Sequence, residues 1–466
     1  MITRKDLSEE QERALQHMLD FAVGSARQMI LVGHAGSGKT TLVNVFLDEL
    51  SKVRKWCTTT CTAPTNEAVR VLSVTSGKEY DKTIFSLLGL VLIEEEGKKP
   101  TIKQNGTPKL EEYDIVILDE ASMIGEQLLG LIEKQLMLHP NIKMIYVGDD
   151  AQLPPVNTEE DDKGNQIECV ESKVFQLKNK VELREVQRVS KDNPIINVVT
   201  PIRNNIDSAS DHFDRITNTP EVNVGVEFHD NRDKFMELMY EDFISDEYKK
   251  NSNYVRAIAY TNKAVDALNL HIRKRIFDTN DLDQFMVGEN LIVSTPVMVK
   301  INKYVTDVLF TVGERLRVKS ATIIQDPEYG FRVWDLSVVN YEDKKPKHHK
   351  IKVVHQDDFD LYRATLNELA IEAKDKVSQK TVDRNGKERF LYNKGEAWKG
   401  FYKFKNEFSW LKYSYAMTTH RSQGSTIERV YVIERDLNRL TWNNTIRNKL
   451  KYTAFTRASK LLRILQ

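Results

Sequence analysis

The sequence predicts an α/β fold with two parallel-sheet domains, the second split by a β-rich insertion. Three observations predict it. A short apolar strand, Gln28 to Val32, leads into the glycine-rich loop G-H-A-G-S-G-K-T, Gly33 to Thr40, and then an amphipathic helix, the order of a phosphate-binding unit. Two further short runs, Asp114 to Leu118 and Lys143 to Val147, have apolar interiors of the kind found in strands buried on both faces, and each is followed by acidic residues. After Pro194 the pattern partly repeats in Val255 to Tyr260 and Val430 to Ile433. Between these, from about Gly288 to about Trp410, β-branched strands alternate with charged turns.

Length and composition set the frame. A chain of 466 residues, 40% hydrophobic and 29% charged, divides into two to four folded domains and does not have the composition of a disordered chain. Lys and Arg number 68 and Asp and Glu 68, so any groove for a polyanion must come from local segregation of charge. Cys57, Cys61 and Cys169 are too few and too scattered for a disulfide framework or a zinc cage and read as reduced thiols. The N-terminus lacks a signal-peptide core and no apolar run approaches the ~20 residues of a membrane span, so a cytoplasmic location without membrane contact is expected.

In order, Leu7 to Phe21 reads as a helix opened by Ser8 with Gln11 completing a capping box. Next come the strand and glycine-rich loop, with a helix from Lys39. Val74 to Leu92 has a mostly helical pattern. Glu94 to Glu112 is charged, carries Gly97, Pro100, Gly106 and Pro108 and no aromatic residue, and reads as a projecting hairpin. Thr261 to Lys274 reads as the helix that follows the strand ending at Tyr260. Val312 to Val318 and Phe331 to Val339 are strands of the insertion, and His348-His349 reads as an exposed basic turn.

The loop Gly33 to Thr40 fits G-x-x-x-x-G-K-[ST], a Walker A. Small residues let backbone N–H groups surround phosphates, Lys39 reaches the outer phosphate oxygens, and the Thr40 hydroxyl suits Mg²⁺. An isolated match could be a glycine-rich turn with a surface lysine, but the strand before it and the helix after it make nucleotide binding the better reading. In I-V-I-L-D-E-A-S, Asp119 ends an apolar strand where a Walker B acid holds the metal, and Glu120 can activate water. Gln152, in G-D-D-A-Q-L-P-P, suits a γ-phosphate sensor, against the plainer reading of a polar turn residue. Arg188 and Arg457 are candidates for the positive charge that phosphoryl transfer needs from a movable element.

These segments, in this order, resemble the superfamily 1 helicases, specifically the RecD-like 5′-to-3′ branch with its bacteriophage members. The likeness spans nearly the whole chain: L-S-E-E-Q at Leu7, the Walker A, A-P-T-N-E-A at Ala63, K-T-I-F-S-L-L at Lys82, D-E-A-S, G-D-D-A-Q-L-P-P-V, E-V-Q-R at Glu185, A-Y-T-N-K-A-V-D-A-L-N at Ala259, T-T-H-R-S-Q-G-S-T at Thr418 and Y-T-A-F-T-R at Tyr452. The resemblance implies two RecA-like P-loop NTPase domains. The first covers 1–190 with a small pin insertion at about 90–112. The second comprises 191–287 and 413–466 around an SH3-like domain, 288–412, whose helical extension lies near Asp358 to Val382 with Trp398 and Trp410 as anchors.

Residue by residue, the resemblance implies ATP bound by Gln11, Gly33, Gly36, Gly38, Lys39, Thr40, Thr41 and Gly424. Mg²⁺ would lie at Thr40 and Asp119. Lys39, Glu120, Gln152, Arg188 and Arg457 would serve hydrolysis, and Gln423 and Gly424 lie in a loop joining the nucleotide and DNA surfaces. For DNA it points to Pro64, Thr65, Asn66, Thr83, Ser86, Thr419 and His420, whose short polar side chains suit phosphate oxygens. Phe85 could stack on a base, but between Ile84 and Leu87 it reads better as core. The expected activity is an ATP-dependent DNA helicase moving 5′ to 3′ on single-stranded DNA and opening forked duplex in phage replication or recombination within an infected host cell. The alternative is a translocase that displaces bound proteins, kept open because the pin sequence has no Phe, Tyr or Trp. A single-stranded-DNA-binding protein is a further partner on this reading, and the lack of a heptad seam makes the monomer the expected state.

Overall fold

The computed structural model of the chain describes residues 3–80, 82–93, 101–155, 171–185, 193–300, 306–343, 345–382 and 387–466. Helix α1 (Glu9–Val23) opens with the expected capping box, in which the Ser8 hydroxyl accepts from the Gln11 N–H and Gln11 Oε1 accepts from the Ser8 N–H. Strand β1 (Gln28–Gly33) then reaches the phosphate loop, where Gly36 and Gly38 adopt φ of 83° and 80° before α2 (Lys39–Val53) begins. Those left-handed values are what the motif's glycines permit. Strand β2 (Thr59–Thr62) is followed by α3 (Asn66–Ser76) and the single turn α4 (Ile84–Leu87).

The mostly helical pattern expected over Val74 to Leu92 therefore holds only for the end of α3 and the turn α4. Gly77, at φ 68°, ends α3, and the chain makes one short turn at α4 before entering β3 (Leu90–Ile93), which pairs antiparallel with β4 (Thr101–Gln104). This hairpin falls in the segment where the pin insertion was expected; residues 94–100 lie outside the described residues. Strands β5 (Ile115–Leu118), β6 (Lys143–Gly148) and β7 (Lys180–Leu183), with α5 (Glu126–Leu138) between β5 and β6, complete a parallel sheet of order β2-β5-β6-β1-β7. The continuous apolar runs are explained by two cores. Met29 and Leu31 face α1, α2 and α3, while Ile30 and Val32 face α4 and α5. Phe85 is half-buried against the second of these cores, as its neighbours predicted.

The second sheet follows α6 (Ile195–Asn204). Its strands are β8 (Asn218–Glu221), β9 (Val224–His229) and β10 (Val255–Ala259), with α7 (Arg232–Ile244) and α8 (Asp246–Lys250) between β9 and β10, and α9 (Asn262–Ile276) after β10. The chain then builds a separate compact unit, 273–415. There β11 (Asn290–Val293), the hairpin β12 (Val297–Lys300) and β13 (Thr306–Phe310), β14 (Arg315–Gln325), β15 (Arg332–Asn340) and β16 (His348–Val354) precede α10 (Phe359–Ser378). The hairpin β17 (Lys380–Val382) and β18 (Glu388–Phe390), the helices α11 (Lys394–Ala397) and α12 (Lys399–Lys405), and β19 (Leu411–Tyr413) finish it.

In that unit the antiparallel order is β16-β15-β14-β11-β19. His348 and His349 begin β16 instead of forming a turn, because they pair with Val339 and Val338 of β15; the His349 ring also stands edge-on to Phe310 at 5.3 Å. An aromatic cluster joins α10 and α12 to the sheet: Phe404 lies 4.6 Å from Tyr329 and 5.0 Å from Tyr362, and Trp410 meets Phe359 at 5.2 Å. The Trp398 ring meets Phe401 at 5.1 Å and Tyr402 at 6.1 Å, both in α12.

Back in the first unit, β20 (Ala416–Thr418), β21 (Ile427–Ile433), α13 (Glu434–Leu437), α14 (Asn444–Phe455) and β22 (Ala458–Leu465) close a sheet of order β20-β10-β21-β22-β9-β8, parallel except for the β8–β9 pair. Both sheets belong to one compact unit, 1–272 with 416–466. Replacing Phe404, fully buried at the centre of the aromatic cluster, by alanine should lower the stability of unit 273–415 by about 3–5 kcal/mol. Chemical denaturation followed by tryptophan fluorescence checks this through Trp334, Trp398 and Trp410; an unchanged midpoint would contradict the packing described.

Candidate active site

The ends of β1, β5 and β6 open on a cleft of about 410 Å³ that also receives residues from the second sheet. This is where an open parallel sheet leaves polar loops free to meet a ligand. Lys39 donates to the carbonyls of Gly33 at 2.8 Å and His34 at 3.0 Å, folding its ammonium back over the loop. Burial pulls its pKa below the usual range, opposed by Asp149, Asp119 and Glu120. Thr40 and Thr41 line the same cleft. Gln11 also lines it; its Nε2 donates to the Ser37 carbonyl of the loop at 3.2 Å while its Oε1 caps α1, so the amide ties the phosphate loop to the start of that helix.

Asp119 leaves β5 with its N–H on Thr62 O at 2.9 Å, and its Oδ1 accepts from the Glu120 N–H at 2.8 Å. Glu120 stands at φ 54°, a left-handed conformation unfavourable for a non-glycine residue and stored here at the head of the short turn Ala121–Met123. Burial, reinforced by Asp119, pushes the Glu120 carboxyl up to about 7, while Arg457 and Lys39 act against the rise. A carboxylate so poised suits a general base.

The turn after β6 is held from the other lobe. Asp149 is fully buried; its Oδ2 accepts from the Tyr452 hydroxyl at 2.7 Å and its Oδ1 from Arg203. Burial disfavours its charge, but Arg203, Lys39 and Tyr452 prevail and keep its pKa below the ordinary value. The Tyr452 hydroxyl in turn accepts from the Ala35 N–H of the phosphate loop at 3.1 Å. Gln152 is buried, and its Oε1 has no hydrogen-bond partner among the described residues. Ser37 Oγ and Ser122 Oγ are likewise buried without a partner among the described residues, one in the phosphate loop and one beyond Glu120. Buried polar atoms left in this state are unusual, and of the three Gln152 lines the cleft, where a ligand can supply the partner.

Arg457 is buried and donates to the carbonyls of Thr453 at 3.0 Å and Ser425 at 3.2 Å, within electrostatic reach of Glu120. Gly424 has φ 77°, and a Cβ there would stand 3.1 Å from the Ala68 Cβ and 3.7 Å from Glu120 Oε1. Gln423 donates to the Leu153 carbonyl at 3.1 Å. The distant T-T-H-R-S-Q-G-S-T segment thus reaches both Glu120 and the turn after β6. Arg188 lies outside the described residues, as does Cys169. Arg203 and Tyr452 were not singled out in the sequence: Tyr452 opens the Y-T-A-F-T-R segment whose arginine drew the attention, and Arg203 sits in P-I-R-N, which has no motif around it.

The expected nucleic-acid residues gather at the end of β2. Thr62 Oγ1 donates to Lys82 O at 2.8 Å and the Ile84 N–H to Ala63 O at 3.0 Å, bringing Pro64, Thr65 and Asn66 beside Thr83 and Ser86. The Thr65 and Thr83 hydroxyls cap α3 and α4, accepting from the Ala68 and Ser86 N–H groups at 3.2 Å. Thr419 departs from the expectation of a contact residue: it is fully buried, with its N–H and hydroxyl both on the Ala259 carbonyl, because it fastens the loop to β10. His420 next to it lies 6.3 Å from the Tyr260 ring, and burial lowers its pKa, leaving the imidazole neutral at pH 7.

Gly424→Ala should cut ATP hydrolysis at least ~10-fold, since the added methyl meets Ala68 and the left-handed backbone both resist it. A steady-state assay beside a melting curve decides; wild-type hydrolysis in a folded variant would remove the tight approach to Glu120 from the argument.

An AAA domain model matches residues 16–158, and a UvrD-like helicase C-terminal domain model matches residues 413–465. The ATP-dependent DNA helicase dda of Enterobacteria phage T4 is 29% identical over 447 residues, covering 92% of this chain and 93% of that protein. The ATP-dependent RecD2 DNA helicase of Deinococcus radiodurans is 30% identical over 193 residues, 41% of this chain and 23% of its own length. Among solved structures, a Bacteroides Pif1 helicase in complex with ADP-AlF3 and ssDNA superposes with a TM-score of 0.50 at 16% identity, covering 99% of this chain and 92% of that one, which shows a shared fold. The two matched models bracket the same cleft, one supplying the phosphate loop and strand-end acids and the other Gln423, Tyr452 and Arg457, and the chain is accordingly an ATP-hydrolysing P-loop DNA helicase, similar along its length to the phage T4 dda helicase and in part to RecD2.

Proposed function

We propose that the chain couples ATP hydrolysis to 5′-to-3′ movement along single-stranded DNA and to the opening of duplex at a fork. The observation that carries this reading is the turn Asp149 to Leu153. It presents Gln152 to the nucleotide cleft while Gln423, from the loop that also bears His420, holds its last carbonyl. A change at the phosphates can therefore reach the nucleic-acid loop through a chain of direct contacts, as energetic coupling requires.

The residues fit ATP with Mg²⁺. Thr40 at the head of α2 and Asp119 at the end of β5 would supply the hard oxygen donors that the metal takes, and the buried Gln152 Oε1 lines the same cleft. When bound, Mg²⁺ supplies neutralisation of charge on the phosphate oxygens. In this reading Lys39 exchanges the Gly33 and His34 carbonyls for phosphate, Glu120 takes the proton of the attacking water, and Arg457 offsets charge from the second lobe. Arg188 is proposed for the same task. On the DNA side, Pro64 to Asn66 and Thr83 with Ser86 grip the backbone from the first lobe, and His420 from the second. Such contacts carry little sequence information, as a motor requires. Closing and parting of the lobes then tightens the two grips in alternation.

Two measurements test this. A fork with a 5′ single-stranded tail should be opened with ATP and Mg²⁺ while one with only a 3′ tail is not, and Lys39→Ala should abolish the opening; opening of the 3′-tailed fork alone would refute the direction. If neither opens although single-stranded DNA stimulates hydrolysis, the chain is instead a translocase that displaces bound proteins. Affinity for single strands should also fall with salt at a logarithmic slope of about 0.7 per phosphate neutralised. A titration from low to high salt showing a flat affinity would contradict phosphate-directed grip.

A further inference from the structure

The turn that carries Gln152 follows a strand of the first sheet, yet most of what holds it comes from the second lobe. Lys449 donates to Asp150 O at 2.6 Å, Thr453 Oγ1 accepts from the Leu153 N–H at 3.1 Å, and Tyr452 reaches Asp149. The charged member of this set is Arg203, near the C-terminal end of α6. Its two terminal nitrogens divide between the Asp149 and Asp150 carboxylates, and its guanidinium carbon stands 5.8 Å from the centre of the Tyr452 ring. The Arg203 side chain is only 12% exposed and Asp149 is fully buried, whereas Asp150 keeps 34% of its side-chain surface.

Asp149 also fixes the turn itself. Its Oδ1 accepts from the Ala151 N–H and its carbonyl from the Gln152 N–H, both at 3.1 Å. The backbone carrying Gln152 is therefore placed by Asp149, and Asp149 is placed by Arg203 together with Tyr452. A planar guanidinium can hold two carboxylates at once in one orientation; an ammonium is a point charge without that fork.

We propose that Arg203 is a positioning residue that ties the location of the second lobe to the location of Gln152, and so transmits nucleotide state to the DNA grip. Arg203 lines the cleft, but both its terminal nitrogens are taken by Asp149 and Asp150, so on this proposal it acts through Asp149. Helix α6 belongs to the second core, where Ile195, Val198 and Ile202 pack with strands β10, β21 and β22, so any shift of that lobe carries Arg203 with it. This proposal rests on the coupled-motor reading above.

The test is the thermodynamic coupling between ligands. The dissociation constant of a fluorescent oligothymidylate is measured with and without a non-hydrolysable ATP analogue and Mg²⁺, for wild type, Arg203→Lys and Arg203→Ala. Wild type should show a nucleotide-dependent change of about 5-fold or more, within the range of ordinary allosteric coupling. Arg203→Ala should bring that ratio below about 2-fold, with Arg203→Lys between the two, while the nucleotide-free DNA affinity changes less than about 2-fold. DNA-stimulated kcat should fall with the ratio and KM for ATP should stay within about 3-fold, a split that loss of nucleotide binding would not give.

Wild-type coupling retained in either folded variant overturns the proposal. So does a loss confined to KM for ATP, which would make Arg203 a nucleotide-binding residue. If Arg203→Ala does not fold, Arg203→Lys, which keeps the charge beside Asp149 and loses only the fork, decides alone. If wild type itself shows no nucleotide-dependent DNA affinity, the coupled-motor reading fails, an outcome distinct from failure of Arg203.

Discussion

The rest of the active cleft depends on the burial of Asp149. A carboxylate removed from water on all sides is tolerated only when its charge is matched and its oxygens are hydrogen-bonded. Here the matching groups come from both lobes: Lys39 acts electrostatically from the phosphate loop, while Arg203 and the Tyr452 hydroxyl arrive from the second lobe. Breaking such a pair from one side costs about 3–5 kcal/mol, because the charge left behind remains buried. One buried carboxylate thereby joins a loop that binds phosphate to helices whose own core lies elsewhere.

From that constraint the division of labour follows. The first sheet presents its groups at strand ends: the phosphate loop after β1, Asp119 and Glu120 after β5, and the Gln152 turn after β6. The second sheet reaches across with Gln423, Gly424, Tyr452 and Arg457, carried by the segment after β20 and by α14 and its C-terminal end. Glu120 is held in a strained conformation between them, and burial beside Asp119 raises its affinity for a proton. Strained Glu120, Gln152 and the inward-folded Lys39 all line the one cleft.

The side proposed for nucleic acid is built from different materials. Its residues are short hydroxyl and amide side chains at the starts of α3 and α4, where two of the hydroxyls are used as caps. On that proposal, backbone amides at those turns and the exposed Ser86 would meet phosphate, a recognition mode indifferent to base sequence. The β3–β4 hairpin continues from the same place: α4 runs directly into β3, and Gln104 of β4 donates to the carbonyls of Leu88 and Gly106 at its base, at 2.8 and 2.6 Å. Gly89, at φ 62°, allows that base to close, since a Cβ would stand 2.4 Å from the Gly106 carbonyl oxygen.

Much of this was legible in the sequence because it is local. The phosphate loop, the capping box at Ser8 and Gln11, the apolar strands ending at Leu118 and Gly148 and the inserted β-rich segment each follow from spacing and pattern within a few residues, the range over which backbone geometry acts. The mostly helical pattern read over Val74 to Leu92 holds only for the end of α3 and the turn α4, because apolar period alone cannot distinguish a helix from a turn followed by a strand; Gly77 and Gly89 interrupt that segment by their left-handed conformations. Thr419 matched a contact motif yet is buried, since its burial depends on where β10 runs beside it. Arg203 had no local signature at all. Its partners are set by the packing of α6 against the second sheet, and only the tertiary structure, which alone determines which charges are taken out of water together, could place it on Asp149.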